Sequence, residues 1–167
     1  MTDKYFMSRA LEQARNALAA GEFPVGCVVV HENRIIAYAS RIGTTDGQTN
    51  EIDHAEMVAL RQVLAQNPKI IPKAATVYVT LEPCLMCFGA LLIAGIGKIV
   101  YAYEDVMGGG TGCPLSSLPL LYKSRPPVIV PNILRNESLA LFRSFFSNPS
   151  NRYLKESLLA KYSLAAS

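Results

Sequence analysis

The fold is decided by the stretch Thr76-Val77-Tyr78-Val79-Thr80-Leu81-Glu82-Pro83-Cys84-Leu85-Met86-Cys87. Its first part, 76–80, consists of β-branched and aromatic residues and predicts a strand. Pro83 then precedes an apolar segment, 84–94, that predicts a helix. A second β-branched run, 98–103, predicts the next strand. Because the order is strand, helix, strand, we predict that these two strands are parallel and central in a sheet.

The segments on either side of this unit complete the predicted fold. Apolar residues at helical spacing or β-branched runs identify them. They are helices at 4–20, 54–66, 136–147 and 150–163, a short helix or turn at 116–122, and strands at 23–30, 34–40 and 128–130. The order predicts an α/β protein: a three-layer α/β/α sandwich whose mixed five-stranded sheet is covered by helices on both faces. The length fits a single domain over 1–167, with C-terminal helices from about 136.

Composition narrows the class of protein. Half of the residues are apolar and 17% are charged, which is typical of a compact globular chain. The N-terminus lacks the pattern of a signal peptide, and the longest apolar run is too short for a membrane span. We therefore expect a cytoplasmic protein without a membrane partner, where four cysteines favour metal binding or catalysis over disulfides. The net charge of +3 permits nucleic-acid binding but does not require it.

Two short motifs supply three metal ligands and one further acid. His54-Ala55-Glu56 opens one predicted helix, and Cys84 and Cys87 lie on one face at the start of another. A zinc ion with one His and two Cys keeps a fourth position for water, which is the composition of a catalytic site. Glu56 is then available as general base and general acid. Because residues two apart diverge around a regular helix, we predict that this helix begins within one residue of His54.

Each motif alone also has a simpler interpretation. Asp53-x-x-Glu56 matches a helix capping box, and Cys-x-x-Cys occurs in redox sites and in zinc ribbons. A ribbon needs a second ligand pair, but Cys27 is predicted to be a buried hydrophobe and His31 a solvated residue beside a turn. Cys113 as a fourth ligand would close the site to water. The two motifs together favour zinc catalysis, and Asp53 can cap the helix as well.

Two further segments carry weaker signals. The run 108–112, Gly-Gly-Gly-Thr-Gly, follows a predicted strand but lacks the Gly-Lys-Ser/Thr ending of a phosphate-binding loop. We interpret it as a mobile loop near the mouth of the active site. The helix at 84–94 is apolar nearly all round, so it must be buried on all sides, and a homodimer interface is one way to bury it.

At these residues the chain resembles the cytidine-deaminase-like superfamily of CMP/dCMP-type deaminases, whose signature is H-x-E…P-C-x-x-C. It looks most similar to the branch of tRNA adenosine deaminases, guanine deaminases and fungal cytosine deaminases. The matching blocks are 24–26, 54–61 and 78–87. The resemblance implies a Zn²⁺ ion and a proton-shuttling acid, and a pocket that surrounds the base. The implied residues are His54, Cys84 and Cys87 for zinc, Glu56 for the protons, and Phe23, Pro24, Val25, Ala55 and Leu81 for the pocket.

Departures from the family pattern bear on the substrate. Relatives usually have an Asn where this chain has Ser40, and a hydroxyl offers fewer directed hydrogen bonds to a base. Asp53 at the pocket entrance disfavours a nearby phosphate unless it is paired. The C-terminal stretch is sparsely basic, whereas binding of an anticodon loop calls for denser phosphate contacts.

The leading prediction is hydrolytic deamination of a small amino-heterocycle, a nucleobase or a small nucleoside. The exocyclic amino group becomes a carbonyl and ammonia is released. Two alternatives stay open. One is deamination of the wobble adenosine in a tRNA anticodon loop. The other is a catalytically silent, zinc-stabilised partner subunit.

Overall fold

The computed structural model describes residues 1–45, 50–66 and 72–166. Its central feature is a five-stranded sheet in the order β2-β1-β3-β4-β5. The strands are β1 Gly26–His31, β2 Arg34–Ser40, β3 Ala75–Leu81, β4 Lys98–Tyr103 and β5 Val128–Val130. β1 is antiparallel to β2 and to β3, whereas β3, β4 and β5 run parallel. The predicted mixed sheet with parallel central strands is confirmed.

Helices cover both faces of this sheet. The α-helices are α1 Asp3–Ala19, α2 Ala55–Gln66, α3 Leu85–Ala94, α4 Leu120–Lys123, α5 Arg135–Ser147 and α6 Leu158–Ala165, and short 3₁₀ helices lie at Pro72–Ala74 and Leu115–Ser117. α1 packs on one face with α5 beside it, and α2 and α3 pack on the other. The three-layer sandwich is therefore confirmed. Across the described ranges, no helix is both long enough and apolar enough to cross a bilayer.

Alternation along β1 explains why its sequence is continuously apolar. Val28 and Val30 join the cluster under α1, while Cys27 and Val29 join the larger cluster on the opposite face. A strand that is covered on both faces has no solvent-facing position to fill with polar residues. Cys27 is fully buried there, as predicted.

The first strand begins three residues later than predicted. The Val25 N–H donates to the Phe23 carbonyl at 2.7 Å, so 23–25 form a local turn before the sheet. The Phe23 ring packs 5.2 Å from Phe142 of α5. Pairing starts at Gly26, where a Cβ would lie 2.1 Å from the Ala10 carbonyl oxygen of α1. The close approach of α1 therefore requires glycine at the first paired position.

Two predicted helical segments differ in the structure. The segment predicted at 150–163 is helical only in α6, which begins after Ser157, whose side chain accepts a hydrogen bond from the Ala160 N–H. Before it, Leu154 takes a left-handed backbone conformation, with φ of 53°, that a regular helix excludes. The turn predicted at 116–122 is divided into a 3₁₀ helix and α4, with Pro119 between them.

His31 also differs from its prediction. It is half-buried rather than solvated, and its Nε2 is a buried atom without a hydrogen-bond partner within the described part of the chain. The residue ends β1, where it pairs with Arg34 of β2 and Ala75 of β3. Its place between two neighbouring strands explains the burial, which a turn-flanking position did not indicate.

Candidate metal centre

Three side chains at two helix N-termini come together at one point. His54 directly precedes α2, and Cys84 is the N-cap of α3, with Cys87 in its first turn. His54 Nδ1 lies 3.5 Å from Sγ of Cys84 and 3.5 Å from Sγ of Cys87. The three ligand atoms all lie within 4.8 Å of one another. Because α2 begins at Ala55, the predicted start within one residue of His54 is confirmed.

The distances fit a tetrahedral zinc ion. A Zn–S bond of about 2.3 Å and a Zn–N bond of about 2.0–2.1 Å, at a tetrahedral angle, place the two donor atoms about 3.5 Å apart. The hydrogen bond with Cys87, together with His54 nearby, lowers the pKa of Cys84 to about 4, so that this thiol is ready to bind as thiolate. The same hydrogen bond and burial raise the pKa of Cys87. Three ligands leave one tetrahedral position for another group.

Glu56 is the acid beside this ligand set. It lies in the first turn of α2 and is only 4% exposed. Burial raises its pKa to about 7, against the opposing effect of His54 nearby. A carboxyl group that titrates near neutrality can both accept and donate a proton at the working pH. The position and the pKa therefore suit the proton-shuttle role that the sequence predicted.

Asp53 does not cap α2. Its carboxylate instead accepts hydrogen bonds from Asn50 Nδ2, at 2.7 Å, and from the Arg61 guanidinium. The capping-box interpretation of Asp53-x-x-Glu56 is therefore wrong. The hydrogen bonds from Arg61 and Asn50 lower the pKa of Asp53, so this acid stays ionised and paired.

A cavity of about 190 Å³ opens beside the ligands and Glu56. This volume is below the ~300–1,000 Å³ of pockets for drug-sized ligands and suits a single heterocycle. Of the predicted pocket residues, Phe23, Val25, Ala55 and Leu81 line the cavity. The described lining residues do not include the other two predicted ones, Pro24 and Ser40.

Strand alternation explains why Ser40 is displaced from the cavity. Ala37 and Ala39 of β2 face the core cluster that contains α2, so the next residue on that face is Arg41. Ser40 points to the other face and lies opposite Gly26 of β1. The family pattern predicted a pocket residue at Ser40, whereas the alternation of β2 places Arg41 there.

The C-terminal segment supplies part of the cavity wall. Tyr153, Leu154 and Leu159 line it, together with Glu51 from the loop before α2. The Tyr153 hydroxyl donates to Glu51 Oε2 at 2.8 Å, and its ring lies 5.4 Å from that of Phe23. Nothing in the sequence signalled this contact, because about a hundred residues separate the two partners.

The glycine-rich loop packs closely on the turn that carries Cys84. The Gly110 N–H donates to the Pro83 carbonyl at 2.8 Å. The Glu82 carboxylate accepts from the Asp105 and Thr111 N–H groups, each at 3.2 Å, and from the Thr111 hydroxyl. The loop lies at the cavity, as expected, but hydrogen bonds attach it to the metal-ligand turn where we expected a mobile segment.

Cys113 lies apart from the metal ligands. It lines a second cavity, on the outer side of α3, with Leu85, Phe88 and Tyr122. The described ligand cluster contains His54, Cys84 and Cys87 without it. The alternative in which Cys113 closes the metal site therefore has no support in the structure.

Comparison with known proteins identifies the class. The MafB19-like deaminase family matches residues 1–136, and the chain belongs to this family. The tRNA-specific adenosine deaminase of Bacillus subtilis is 32% identical over 86% of this chain and 88% of its own length. A structure from work on A-to-I editing by tRNA:A34 deaminases has a TM-score of 0.69 at 31% identity, covering 82% of this chain and 98% of that one.

A more distant structure agrees in fold. Guanine deaminase from Nitrosomonas europaea has a TM-score of 0.66 at 23% identity, over 85% of this chain and 83% of its own. Family and relatives together identify the chain as a hydrolytic deaminase that acts on C–N bonds. The resemblance to cytidine-deaminase-like enzymes is confirmed.

Proposed function

We propose that the chain binds Zn²⁺ through His54, Cys84 and Cys87 and deaminates a free amino-substituted base or small nucleoside. Glu56 carries the protons. The observation that supports this most strongly is the buried Glu56 carboxyl beside three converging ligand atoms, on a cavity the size of one heterocycle.

The site residues have separate roles in the reaction. Water adds its oxygen to the ring carbon that bears the amino group, the C–N bond breaks, and ammonia leaves. Zinc, when bound, supplies Lewis-acid activation of water. Glu56 accepts one proton from the attacking water and passes it to the ring nitrogen; it then takes the second proton, from the hydroxyl of the tetrahedral adduct, and passes it to the leaving amino group. Phe23, Val25 and Leu81 form an apolar surface around the substrate ring.

The charges of the cavity favour a small substrate without phosphate. Glu51, Glu82 and Asp105 line it as carboxylates beside the single guanidinium of Arg41. A nucleic-acid backbone needs several cationic contacts, and these carboxylates would repel its phosphates.

The relatives favour a second candidate, deamination of the wobble adenosine in tRNA. The similar proteins from Bacillus subtilis and from the A-to-I editing work carry that description. A flipped-out base needs no more room than a free one, so the cavity volume is compatible with either substrate.

One assay separates these candidates. Ammonia release is measured on guanine, adenine, cytosine and their nucleosides, and inosine formation is measured on an anticodon stem-loop at low salt. Release from a free base or nucleoside supports our proposal, whereas product from the stem-loop alone supports the tRNA alternative. Bound zinc with no product on any substrate would support the silent partner subunit.

We also propose a homodimer that uses α3. Leu85 is 62% exposed and Ile93 is 58% exposed on its outer side. A Cβ at Gly89 would meet no atom within 4 Å, so a partner can approach the helix there. Leu120 and Leu121 of α4 add to this apolar surface, and apolar surface of this kind marks protein interfaces.

The remaining proposals concern domain extent and location. Residues 1–167 are proposed to form one domain, because α5 packs against β4 and α1, and α6 packs against α5. A cytoplasmic location stays a prediction from the sequence.

A further inference from the structure

Arg41 is a buried cation on the wall of the cavity. It follows β2 directly, is only 2% exposed and lines the cavity. One terminal nitrogen donates to the carbonyl oxygens of Ile42, at 2.5 Å, and of Asp53, at 3.2 Å. These main-chain acceptors fix the guanidinium in place but do not neutralise its charge.

The other terminal nitrogen of Arg41 is poorly satisfied. It lies 3.3 Å from Glu51 Oε2 and 3.5 Å from the Tyr153 hydroxyl oxygen, beyond the usual range for N–H···O hydrogen bonds. The Tyr153 hydroxyl meanwhile donates to the same Glu51 oxygen at 2.8 Å. The Glu51 side chain is 57% exposed, so water weakens the one ion pair that Arg41 makes. A buried charge with such partners favours a further acceptor.

Two of the acidic side chains on the cavity wall are already engaged in hydrogen bonds. Glu82 accepts from Asp105 and Thr111, and Asp105 accepts from the N–H groups of Met107 and Gly108. Among the described lining residues outside the metal ligands, Arg41 is the one cationic side chain. A substrate acceptor that enters the cavity therefore finds its strongest donor at Arg41.

We propose that Arg41 is a specificity-determining residue that binds a ring carbonyl oxygen of the substrate. The inference rests on the proposed function and narrows it, because the substrate class becomes oxo-substituted amino-heterocycles. A neutral carbonyl fits better than a carboxylate or phosphate, since Glu51, Glu82 and Asp105 share the cavity. The Tyr153 hydroxyl lies 3.5 Å from the guanidinium, and the rings of Phe23 and Tyr153, 5.4 Å apart, line the cavity where they can contact the heterocycle.

The test compares bases that differ by one carbonyl. The pairs are guanine and 2-aminopurine, isoguanine and adenine, and cytosine and 4-aminopyrimidine. The wild-type enzyme is expected to prefer the oxo member in kcat/KM for each ring it accepts. In Arg41→Gln, kcat/KM is expected to fall about 10- to 100-fold for the oxo member, the range for a hydrogen bond to a charged group. The member without the oxygen is expected to change by less than about 3-fold, so the preference is lost.

A matched control separates recognition from folding. Arg143 is a partly buried arginine that, like Arg41, donates to a main-chain carbonyl, that of Ser163 at 3.1 Å, and it does not line the cavity. Arg143→Gln should keep the wild-type preference. Arg41 donates to the Asp53 carbonyl, and Asp53 directly precedes the metal ligand His54. The zinc content of each variant is therefore measured to detect any disturbance of the metal site.

The outcomes are distinct. Equal use of both members of every accepted pair by the wild type overturns the Arg41 proposal, even if Arg41→Gln fails to fold. An unchanged preference in folded, zinc-loaded Arg41→Gln also overturns it. No ammonia from any free base or nucleoside, with product from the stem-loop or from nothing, overturns the proposed function itself.

Discussion

Replacing Gly110 by Ala tests the claim that the glycine-rich loop supports the metal-ligand turn. A Cβ at this position would lie 2.8 Å from both N and Cα of Leu85 and 3.0 Å from the Cys84 carbonyl carbon. Ordinary contacts of a Cβ begin at 3.4 Å, so the loop or the start of α3 must move by several tenths of an ångström. The neighbours are backbone atoms of a helix start, which cannot rotate away. The φ angle of Gly110 is not in the left-handed region, so the effect is purely steric.

The overlap sets the expected loss of stability and of zinc affinity in Gly110→Ala. Overpacking of this kind costs about 1–3 kcal/mol in unfolding free energy. For a chain of this length, each kcal/mol lowers the melting temperature by about 2–4 °C, which gives a decrease of about 2–12 °C. Because Cys84 sits at the point of overlap, zinc affinity should also fall, by about 10-fold, as when other supports of a metal ligand are removed.

The control is two residues away in the same loop. A Cβ at Gly112 would meet no atom within 4 Å, so Gly112→Ala should change the unfolding free energy by less than about 0.5 kcal/mol. Calorimetry of both variants, and competition for zinc with a chelator, provide the measurements. Equal melting temperatures and equal zinc affinities for Gly110→Ala and Gly112→Ala would refute the packing argument.

Two other predictions concern stability and assembly. Partial burial opposes ionisation of Glu104, but hydrogen bonds from Arg135 and Tyr162 outweigh it and lower its pKa below the ordinary 4.5. Its ionised form therefore stabilises the fold above pH 4.5, and the effect is lost as pH falls through the folded pKa. Glu104→Gln should thus cost about 1 kcal/mol of unfolding free energy at pH 7, and the cost should shrink as the pH falls below 4.5; a cost that grows in acid would contradict this. Ile93→Lys should make the protein monomeric in light scattering at micromolar concentration, where an unchanged dimer mass would remove α3 from the interface.

Much of the fold was predictable because its signals are local. The β-branched stretches of β3 and β4 and the apolar segment of α3 are bounded by proline or glycine, and they form the elements that they predicted. The segment at 150–163 was predicted less well. Its apolar spacing suits a helix, but Leu154 packs into the cavity wall in a left-handed conformation, and that tertiary contact outweighs helix propensity.

The candidate site, like the fold, was predictable from the sequence only in part. His54, Cys84 and Cys87 were predictable because metal binding fixes residue types at short spacings, and each motif opens a helix. The cavity wall that faces these metal ligands was only partly predictable. Arg41 and Tyr153 reach the cavity from β2 and from the C-terminal segment, and the hydrogen bonds that place them depend on contacts between distant parts of the chain.

The central claim is that Glu56 moves protons at a zinc site held by His54, Cys84 and Cys87. The most direct measurement is ammonia release by wild type and Glu56→Gln, with zinc content determined on the same samples. We predict about one zinc per chain in both proteins, with kcat lower by about 10²- to 10⁴-fold in the variant, the usual contribution of a general acid–base residue. Wild-type rates in zinc-loaded Glu56→Gln, or an active wild type without zinc, would contradict the account.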